Sequence, residues 1–246
     1  MRGVILAGGL GTRLRPLSLV INKAALPVYD KPVIYHIVEY FREVGITDIM
    51  VVTGKEFSGD LVNLLGSGSN LGVKCSYRIQ DSANGIAGAL SLCKDFVPAG
   101  ENVVVMLGDN LLENGIKQQV SKYMGGFEGA VVCVKEVPDP HRFGVATLEA
   151  GSNKVINIVE KPKQPETNLA VIGVYMYDSQ VFDIIKGLTP SARGEYEITD
   201  VNRAYMQLGN LKCERVEGWW TDAGTIESLY EAGILMHDLR KRTRKE

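Results

Sequence analysis

A glycine-rich loop that ends in an arginine follows the first apolar run of the chain. The loop runs from Ala7 to Arg13 with the sequence AGGLGTR. Glycines let backbone N–H groups approach a phosphate because no Cβ stands in the way, and arginine adds a delocalised positive charge. The loop lacks the ending of a Walker A loop, and Leu14 stands where the Rossmann fingerprint has its third glycine. It is therefore either a phosphate-binding loop of another kind or an ordinary turn.

One lysine and two aspartates are the next candidates for phosphate chemistry. Lys23 lies ten residues beyond Arg13, Asp109 follows an apolar segment, and Asp222 precedes a helical pattern that starts near Thr225. A carboxylate just past a buried strand suits Mg²⁺, which is bound by one or two carboxylates plus substrate phosphates. A solvated role for Lys23, a turn role for Asp109 and a helix-cap role for Asp222 remain open.

An acidic and a basic residue stand side by side where another strand pattern ends. Glu160 and Lys161 follow the apolar segment 155–159. Adjacent side chains of a strand point to opposite faces, so the two are predicted to address different ligand groups, such as a hydroxyl and a phosphate. An exposed charge pair is the alternative.

Other chemistries lack the residues that they need. No GxSxG elbow is present, the histidines at 36, 141 and 237 do not form HExxH, and no Cys/His zinc spacing occurs. The four cysteines at 75, 93, 133 and 213 form no CxxC pair and suit buried thiols in a reducing compartment. His36 lies inside a helical pattern, which favours a packed histidine over a ligand.

Composition narrows the partners and the location. The formal net charge is −2, so the basic excess typical of nucleic-acid binding is absent. No apolar run approaches the length of a membrane span, and no signal-peptide pattern opens the chain. We therefore predict a cytoplasmic protein with small-molecule substrates and neither nucleic-acid nor membrane partners. A homo-oligomer remains open.

Alternating strand-like and helix-like segments position these residues. Apolar runs predict strands at 3–7, 48–53, 102–107, 130–134, 145–148, 155–159 and 171–177. Helical spacing predicts helices from Pro32 to Gly45, from Ile198 to Gly209, and from about Thr225 onward. The pattern predicts one α/β domain over residues 1–246, with a mixed, mostly parallel central sheet flanked by helices. We predict a nucleotide-binding half over about residues 1–140 and a second-substrate half over about residues 141–246. Ligands of such sheets bind beyond the carboxyl ends of the strands.

Nine motifs in order resemble the sugar nucleotidylyltransferase family, and most closely the glucose-1-phosphate thymidylyltransferases. They are GVILAGGLGTRLRPLS, LPVYDKPVIYH, QDSANGIAGAL, LGDN, RFGVA, EKPKQP, AVIGVYMYD, ARGEYEITDVN and GWWTDAGTIESL. The resemblance covers nearly the whole chain and implies a Rossmann-like nucleotidyltransferase fold. Longer members continue into a helical extension, so the resemblance is to the short form. Ala24 and Ala223 stand where many members have glutamine and threonine, which leaves fine positioning open.

The resemblance also implies a role for each matching position. It assigns Arg13 and Lys23 to the phosphates at the reacting centre, and Asp109 and Asp222 to Mg²⁺. On the nucleotide side it assigns Gly8, Gly9, Gly11, Thr12, Gln80 and Gly85, the last two to the pyrimidine edge. On the sugar-phosphate side it assigns Gly144, Glu160, Lys161 and Val171, with Lys161 at the phosphate.

The implied reaction joins dTTP to glucose 1-phosphate and releases dTDP-glucose and pyrophosphate. The attacking phosphate oxygen is already an anion near neutral pH, which agrees with the lack of a catalytic histidine. A related enzyme that uses UTP or another sugar is one alternative, and a non-catalytic nucleotide-sugar sensor is a second. A glycosyltransferase is a third, and it would release no pyrophosphate. The retained lysines, arginine and aspartates argue against the sensor.

Overall fold

The computed structural model describes residues 1–124 and 128–243. Its strands are β1 (Arg2–Ala7), β2 (Pro27–Val28), β3 (Lys31–Pro32), β4 (Asp48–Gly54), β5 (Lys74–Gln80), β6 (Val103–Leu107), β7 (Asn110–Leu112), β8 (Ala130–Glu136), β9 (Gly144–Leu148), β10 (Val155–Glu160), β11 (Leu169–Tyr177), β12 (Leu211–Arg215) and β13 (Trp220–Asp222). Its α-helices are α1 (Val33–Glu43), α2 (Ser58–Leu65), α3 (Ile86–Ser91), α4 (Lys117–Met124), α5 (Val181–Lys186), α6 (Ile198–Gln207) and α7 (Ile226–Thr243). None of these helices is both long and apolar enough to cross a bilayer.

Contacts along the chain group it into two units. The terminal unit comprises Gly3–Ala83, Met106–Lys117 and Gly218–Glu246. The central unit comprises Met1–Arg2, Asn84–Val105 and Gln118–Glu217. Strand β6 has residues in both units.

Three parallel strands form the core of the terminal unit. Strand β4 pairs with β1 on one side and with β5 on the other. Because parallel strands end at the same edge, the registers Ala7↔Thr53 and Gly54↔Gln80 place the glycine loop and Gln80 at one edge. Strands β1 and β4 are buried because both are nearly continuous apolar runs. Helix α1 buries its apolar stripe, and Gly45 follows its end with a φ of 76°.

A short antiparallel ribbon completes the terminal unit. Strands β7 and β13 pair so that Asp222 lies opposite Asn110. Helix α7 begins four residues later and packs against β13. Thr225 caps this helix: its Oγ1 accepts the Ser228 N–H at 3.1 Å, and its own N–H donates to Ser228 Oγ at 3.0 Å. The side chain of Thr225 therefore caps this helix.

The central unit holds the antiparallel strands of the large sheet. Strand β11 pairs antiparallel with β8 and β9, β9 pairs antiparallel with β10, and β12 runs parallel to β8. All nine residues of β11 are buried. Helix α6 packs against β10. Glu160 and Gly144 are register partners at one end of this sheet region.

The strands and helices that apolar patterns predict are confirmed, within two residues at their ends. Pattern reading missed β5 because only Gln80 of its seven residues is buried, so the strand has no apolar period. It also missed the three-residue strands of the ribbon, which are too short to show one. All four cysteines are free thiols, and three of them are buried.

The buried histidine of α1 should make stability depend on pH. Burial, helped by the Lys31 ammonium, lowers the pKa of the His36 imidazole from 6.5 to about 4. Between pH 6.5 and pH 4, His36 is protonated in the unfolded chain but stays neutral in the folded chain, so the free energy of unfolding falls as the pH drops. The loss is about 3 kcal/mol at most.

Urea unfolding at pH 7 and pH 4.5 measures this effect. His36→Gln should make the two free energies of unfolding more nearly equal, whereas the same change at the exposed His237 should leave their difference unaltered. A pH dependence that is the same in His36→Gln and the unsubstituted protein would contradict the assignment.

Candidate functional site

Two glycines of the loop after β1 are required by the space around them. A Cβ on Gly8 would lie 2.6 Å from Gln80 Oε1, so a side chain there would displace the Gln80 amide. Gly11 has a φ of 60° and precedes the helical turn Thr12–Leu14. Its carbonyl accepts a hydrogen bond from Ser18 Oγ at 2.6 Å. The loop backbone therefore packs closely against Gln80 and Ser18. The loop ends in Arg13, whose side chain is exposed.

Lys23 is held close to this loop by its neighbour. The buried Asn22 donates from Nδ2 to the Ala7 carbonyl at 3.0 Å and accepts the Ala24 N–H at 2.9 Å. A Cβ on Gly9 would lie 3.5 Å from Lys23 Nζ. The Lys23 ammonium forms an ion pair with Asp109 Oδ2. The structure thus brings together the glycine loop, Lys23 and Asp109.

Asp109 is a buried carboxylate with a partner on each oxygen. Oδ2 pairs with Lys23, and Oδ1 accepts a hydrogen bond from Asn110 Nδ2 at 2.9 Å. Burial by itself raises the pKa of the Asp109 carboxyl, but the Lys23 charge and the hydrogen bonds from Lys23 and Asn110 outweigh it and lower the pKa overall. The group is therefore ionised at neutral pH.

The ribbon brings Asp222 and Arg13 to the same region. The Ala223 N–H donates to the Asp109 carbonyl at 2.7 Å, which ties the end of β13 to the start of β7. A Cβ on Gly224 would lie 3.2 Å from Arg13 Nη2 and 3.4 Å from Asp222 Oδ2. The sequence could not show whether the two aspartates meet; in the fold Asp109 directly precedes β7, and Asp222 is the register partner of Asn110 on β13.

This donor set suits a hard divalent cation bound with substrate. Within residues 1–124 and 128–243, no three or more His, Cys, Asp and Glu side chains form a full metal cage. Mg²⁺ needs none, because it keeps several waters and is usually held by one or two carboxylates plus substrate phosphates. Asp109 and Asp222 could supply those two carboxylates.

The two residues predicted to read the base lie in different units. Gln80 is buried at the end of β5 in the terminal unit. Gly85 is in the central unit, where its φ is 98° and a Cβ would lie 2.5 Å from the Tyr196 carbonyl oxygen. The Tyr196 N–H donates to the Asn84 carbonyl at 2.8 Å. Only glycine fits this conformation and this approach of two backbones.

Gly144, Glu160 and Val171 converge in the central unit. Gly144 is the register partner of both Glu160 and Val171. A Cβ on Gly144 would lie 3.5 Å from Glu160 Oε2 and 3.8 Å from Val171 Cβ. Thr199 Oγ1 donates to Glu160 Oε2 at 2.6 Å and fixes the carboxylate. Three of the predicted sugar-side residues therefore share one small volume.

The prediction that Glu160 and Lys161 point to opposite faces is wrong. Strand β10 ends at Glu160, and Lys161 has a φ of 43°, so the two-residue alternation of a strand does not apply to it. Its N–H donates to the Phe143 carbonyl at 2.9 Å. Its Nζ lies 3.5 Å from Glu160 Oε1, which puts both charges on the same side.

Several polar residues at these positions carry no assignment from the sequence. Arg193 Nη2 lies 3.6 Å from Glu160 and Glu195 and forms a hydrogen bond of 2.9 Å with Glu197. Thr199 holds Glu160, and Asn22 and Asn110 hold Lys23 and Asp109. Each has at least one partner 15 or more residues away in sequence, so spacing gave no signal for these contacts. The side chains of Ala24 and Ala223 are buried. Both residues contribute to the site through backbone N–H groups, which donate to Asn22 Oδ1 and to the Asp109 carbonyl and do not depend on the side chain.

Comparison with known proteins gives consistent matches over nearly the whole chain. The nucleotidyl transferase family model matches residues 2–238. A low-salt glycan biosynthesis nucleotidyltransferase, Agl11, of Haloferax volcanii is 42% identical over 98% of this chain and 68% of its own length. A glucose-1-phosphate thymidylyltransferase of Neisseria meningitidis is 42% identical over 98% of this chain and 84% of its own.

Solved structures agree with the family match. A Bacillus anthracis protein provisionally named a glucose-1-phosphate thymidylyltransferase, crystallised with sucrose, is 51% identical with a TM-score of 0.91 and covers 97% of this chain and 96% of its own. A UDP-glucose pyrophosphorylase bound to UDP-glucose is 27% identical with a TM-score of 0.83, over 96% of this chain and 98% of its own. The predicted α/β fold with a mixed, mostly parallel sheet is confirmed. The chain belongs to the nucleotidyl transferase family.

Proposed function

We propose that this protein transfers the thymidylyl group of dTTP to glucose 1-phosphate and releases pyrophosphate and dTDP-glucose. The observation that carries the proposal is the gathering of Arg13, Lys23, Asp109 and Asp222 beside one glycine loop. The names of the Neisseria relative and of the Bacillus structure support this choice of substrates. A reaction between two polyanions needs positive charge near the phosphates. Arg13 and Lys23 would supply part of it, and a metal ion held by the two carboxylates would supply the rest.

We assign the positions to substrates as follows. The glycine loop wraps the nucleotide with Gly8, Gly9, Gly11 and Thr12, and Gln80 and Gly85 read the base. Gly144, Glu160 and Val171 contact the sugar, and Lys161 contacts its phosphate. The proposed division places nucleotide binding in about residues 1–140 and sugar-phosphate binding in about residues 141–246.

The reaction is a direct displacement, and the protein promotes it by aligning the two substrates and by neutralising phosphate charge. A phosphate oxygen of the sugar phosphate attacks the α-phosphorus of dTTP, a new P–O bond forms, and the bond to the departing pyrophosphate breaks. Arg13 and Lys23 offset the charge that builds on the leaving group. Holding two reactants in line recovers about 7–11 kcal/mol of barrier in favourable cases.

A divalent metal is normal for this family, and we propose Mg²⁺ with Asp109 and Asp222 as its protein ligands. When bound, the ion would neutralise phosphate charge and help to orient the triphosphate. The chain's own contribution would be two carboxylates, one just before β7 and one at the end of β13, where the Ala223 N–H bonds the Asp109 carbonyl. Lys23, which forms an ion pair with Asp109, would contact phosphate at the same point.

A UTP-using enzyme is the second candidate function. The likeness to a structure of a UDP-glucose pyrophosphorylase favours it. Uracil and thymine share their Watson–Crick edge, so Gln80 and the Gly85 backbone would serve both bases.

Pyrophosphate release over a matrix of nucleotides and sugar phosphates tests both candidates. We expect dTTP with glucose 1-phosphate to give the highest kcat/KM, UTP to follow, and ATP and GTP to be poor. One methyl group is worth about 1–3 kcal/mol in an apolar pocket, so the preference for dTTP over UTP should be modest. Equal turnover with ATP, or no pyrophosphate with any pair, would refute the proposal.

Lys161→Ala should damage the use of glucose 1-phosphate much more than the binding of dTTP. The lysine is half-exposed beside Glu160, so its loss removes one charge from a solvated position and should raise the KM for glucose 1-phosphate about tenfold. Lys163→Ala, at an exposed lysine two residues away, is the matched control and should change neither constant. A collapse of dTTP affinity in Lys161→Ala would place this lysine on the other substrate.

We also infer a cytoplasmic enzyme, since its four free thiols suit a reducing compartment. Its partners in this proposal are the two small-molecule substrates.

A further inference from the structure

The side-chain amide of Asn110 links a proposed metal ligand to a tryptophan. Asn110 Nδ2 donates to Asp109 Oδ1 at 2.9 Å, and Asn110 Oδ1 accepts a hydrogen bond from Trp220 Nε1 at 2.8 Å. Asn110 is 2% exposed, so water cannot easily replace either bond. All three residues belong to the terminal unit.

The chemistry of the two neighbours fixes which way the amide points. An ionised carboxylate only accepts hydrogen bonds, so it must face the NH₂ group. An indole N–H only donates, so it must face the carbonyl oxygen. A flipped amide would place donor against donor and acceptor against acceptor, which makes the observed orientation the only one that satisfies both neighbours.

Asn110 is close to both aspartates in the ribbon. Asn110 follows Asp109 directly and opens β7, where its register partner is Asp222. Trp220 lies on β13, two residues before Asp222. On Asp109, Lys23 holds Oδ2 and Asn110 holds Oδ1, so the carboxylate is restrained from both sides.

We propose that Asn110 is a positioning residue for the metal site, and that the Trp220 indole N–H fixes the Asn110 amide in the orientation that aims the Asp109 carboxylate. The inference rests on the proposed function, since it concerns the same two aspartates. Hydrogen-bonded neighbours of metal ligands typically contribute about 10–100-fold to metal affinity. Asn110 should do so without touching nucleotide or sugar.

The first test compares dTTP affinity in Mg²⁺ with dTTP affinity in EDTA, with sugar phosphate omitted. The ratio of the two affinities measures the metal-dependent part of binding and needs no turnover. Asn110→Leu should reduce this ratio about tenfold or more, while affinity in EDTA stays close to that of the unsubstituted protein. Asn63→Leu, at an exposed asparagine of α2, is the control and should leave both affinities unchanged.

The second test removes only the donor that orients the amide. Trp220→Phe should lower the same ratio by a smaller factor, about two- to fivefold, because the Asn110 amide still faces Asp109 but loses the hydrogen bond that holds its carbonyl oxygen in place. In the Asn110→Leu background, Trp220→Phe should have no further effect on the ratio, since there is no amide left to orient. This non-additivity separates a relay from two independent losses of packing.

Hydrogen exchange of the Trp220 indole gives a readout in the metal-free protein. The chain has two tryptophans, so two indole N–H signals are expected, and substitution of each assigns them. The Trp220 signal should exchange about tenfold faster or more in Asn110→Leu than in the unsubstituted protein. Asn63→Leu should not alter it.

Two outcomes would overturn the inference in distinguishable ways. If the unsubstituted protein shows no metal-dependent gain in dTTP affinity, the proposed metal site fails and the inference fails with it. If that gain is present but Asn110→Leu keeps it in full, or if Trp220→Phe acts additively with Asn110→Leu, the metal site stands and the positioning role of Asn110 is wrong.

Discussion

Asp109→Asn and Asp222→Asn should each lower turnover by about a thousandfold and raise the Mg²⁺ concentration that turnover requires. Each change keeps the shape of the side chain and removes one negative charge from the proposed metal site. A loss of about 4 kcal/mol of charge stabilisation corresponds to that factor. Turnover against Mg²⁺ concentration for both variants is the measurement.

The two variants should differ in stability. Asp109 is buried and paired with Lys23, so Asp109→Asn leaves an ammonium without its counter-charge. We expect it to lower the free energy of unfolding by about 2 kcal/mol. Asp222 is half-exposed, so Asp222→Asn should cost well under 1 kcal/mol. Urea unfolding distinguishes the two.

The pair of substitutions tests whether the aspartates act as one unit. The double variant should turn over scarcely more slowly than the slower single variant, because one lost ligand already disables a shared site. Asp238→Asn, at an exposed aspartate of α7, is the control for the charge change. Near-normal turnover with an unchanged Mg²⁺ requirement in either single variant would remove that aspartate from the metal site.

Lys23→Met should damage both rate and stability. It removes a positive charge from the reacting centre, for which we expect a loss of about 100–1000-fold in kcat. It also leaves the Asp109 carboxylate buried without its ion-pair partner, which should cost about 3 kcal/mol of unfolding free energy at neutral pH.

The pH dependence of that loss has a definite sign. In the unsubstituted protein the pKa of Asp109 lies below its ordinary value of 3.8, so its contribution to stability is present above that pH and is lost as the pH falls. Without Lys23, burial raises the pKa of Asp109, so the folded chain holds a proton that the unfolded chain releases. Lys23→Met should therefore lose stability as the pH rises from 4 to 7, relative to the unsubstituted protein.

Two further variants check the cause. Lys23→Met combined with Asp109→Asn removes both charges and should be more stable at pH 7 than Lys23→Met alone. Lys55→Met, at an exposed lysine of the same unit, should change neither stability nor kcat. If Lys23→Met unfolds with the same free energy and the same pH dependence as the unsubstituted protein, the ion pair does not contribute to stability and Asp109 needs no counter-charge.

The motifs by themselves indicated the chemistry, and the apolar periods predicted half of the strands and α-helices that the structure describes. Continuous apolar runs predicted β1, β4, β6 and β11 because a buried strand must be apolar on both faces. Helical spacing predicted α1, and its glycine stop was confirmed at Gly45. These features are local: a strand or a helix end depends on residues within one or two turns of the chain.

Contacts between distant residues were decided only by the tertiary structure. Asp109 and Asp222 are 113 residues apart, and nothing in their spacing predicts that a ribbon of two three-residue strands pairs Asp222 with the residue that follows Asp109.

Lys161 shows the same limit at short range. Its direction follows from a backbone φ of 43° beyond the end of β10, not from strand alternation, and that conformation is held by the Phe143 carbonyl. Asn110 went unnoticed as a candidate because its importance lies in two hydrogen bonds, one of them to a residue 110 positions away. Sequence determines which chemical groups are present, whereas the orientation of a buried carboxylate depends on partners that only the folded chain brings within 3 Å.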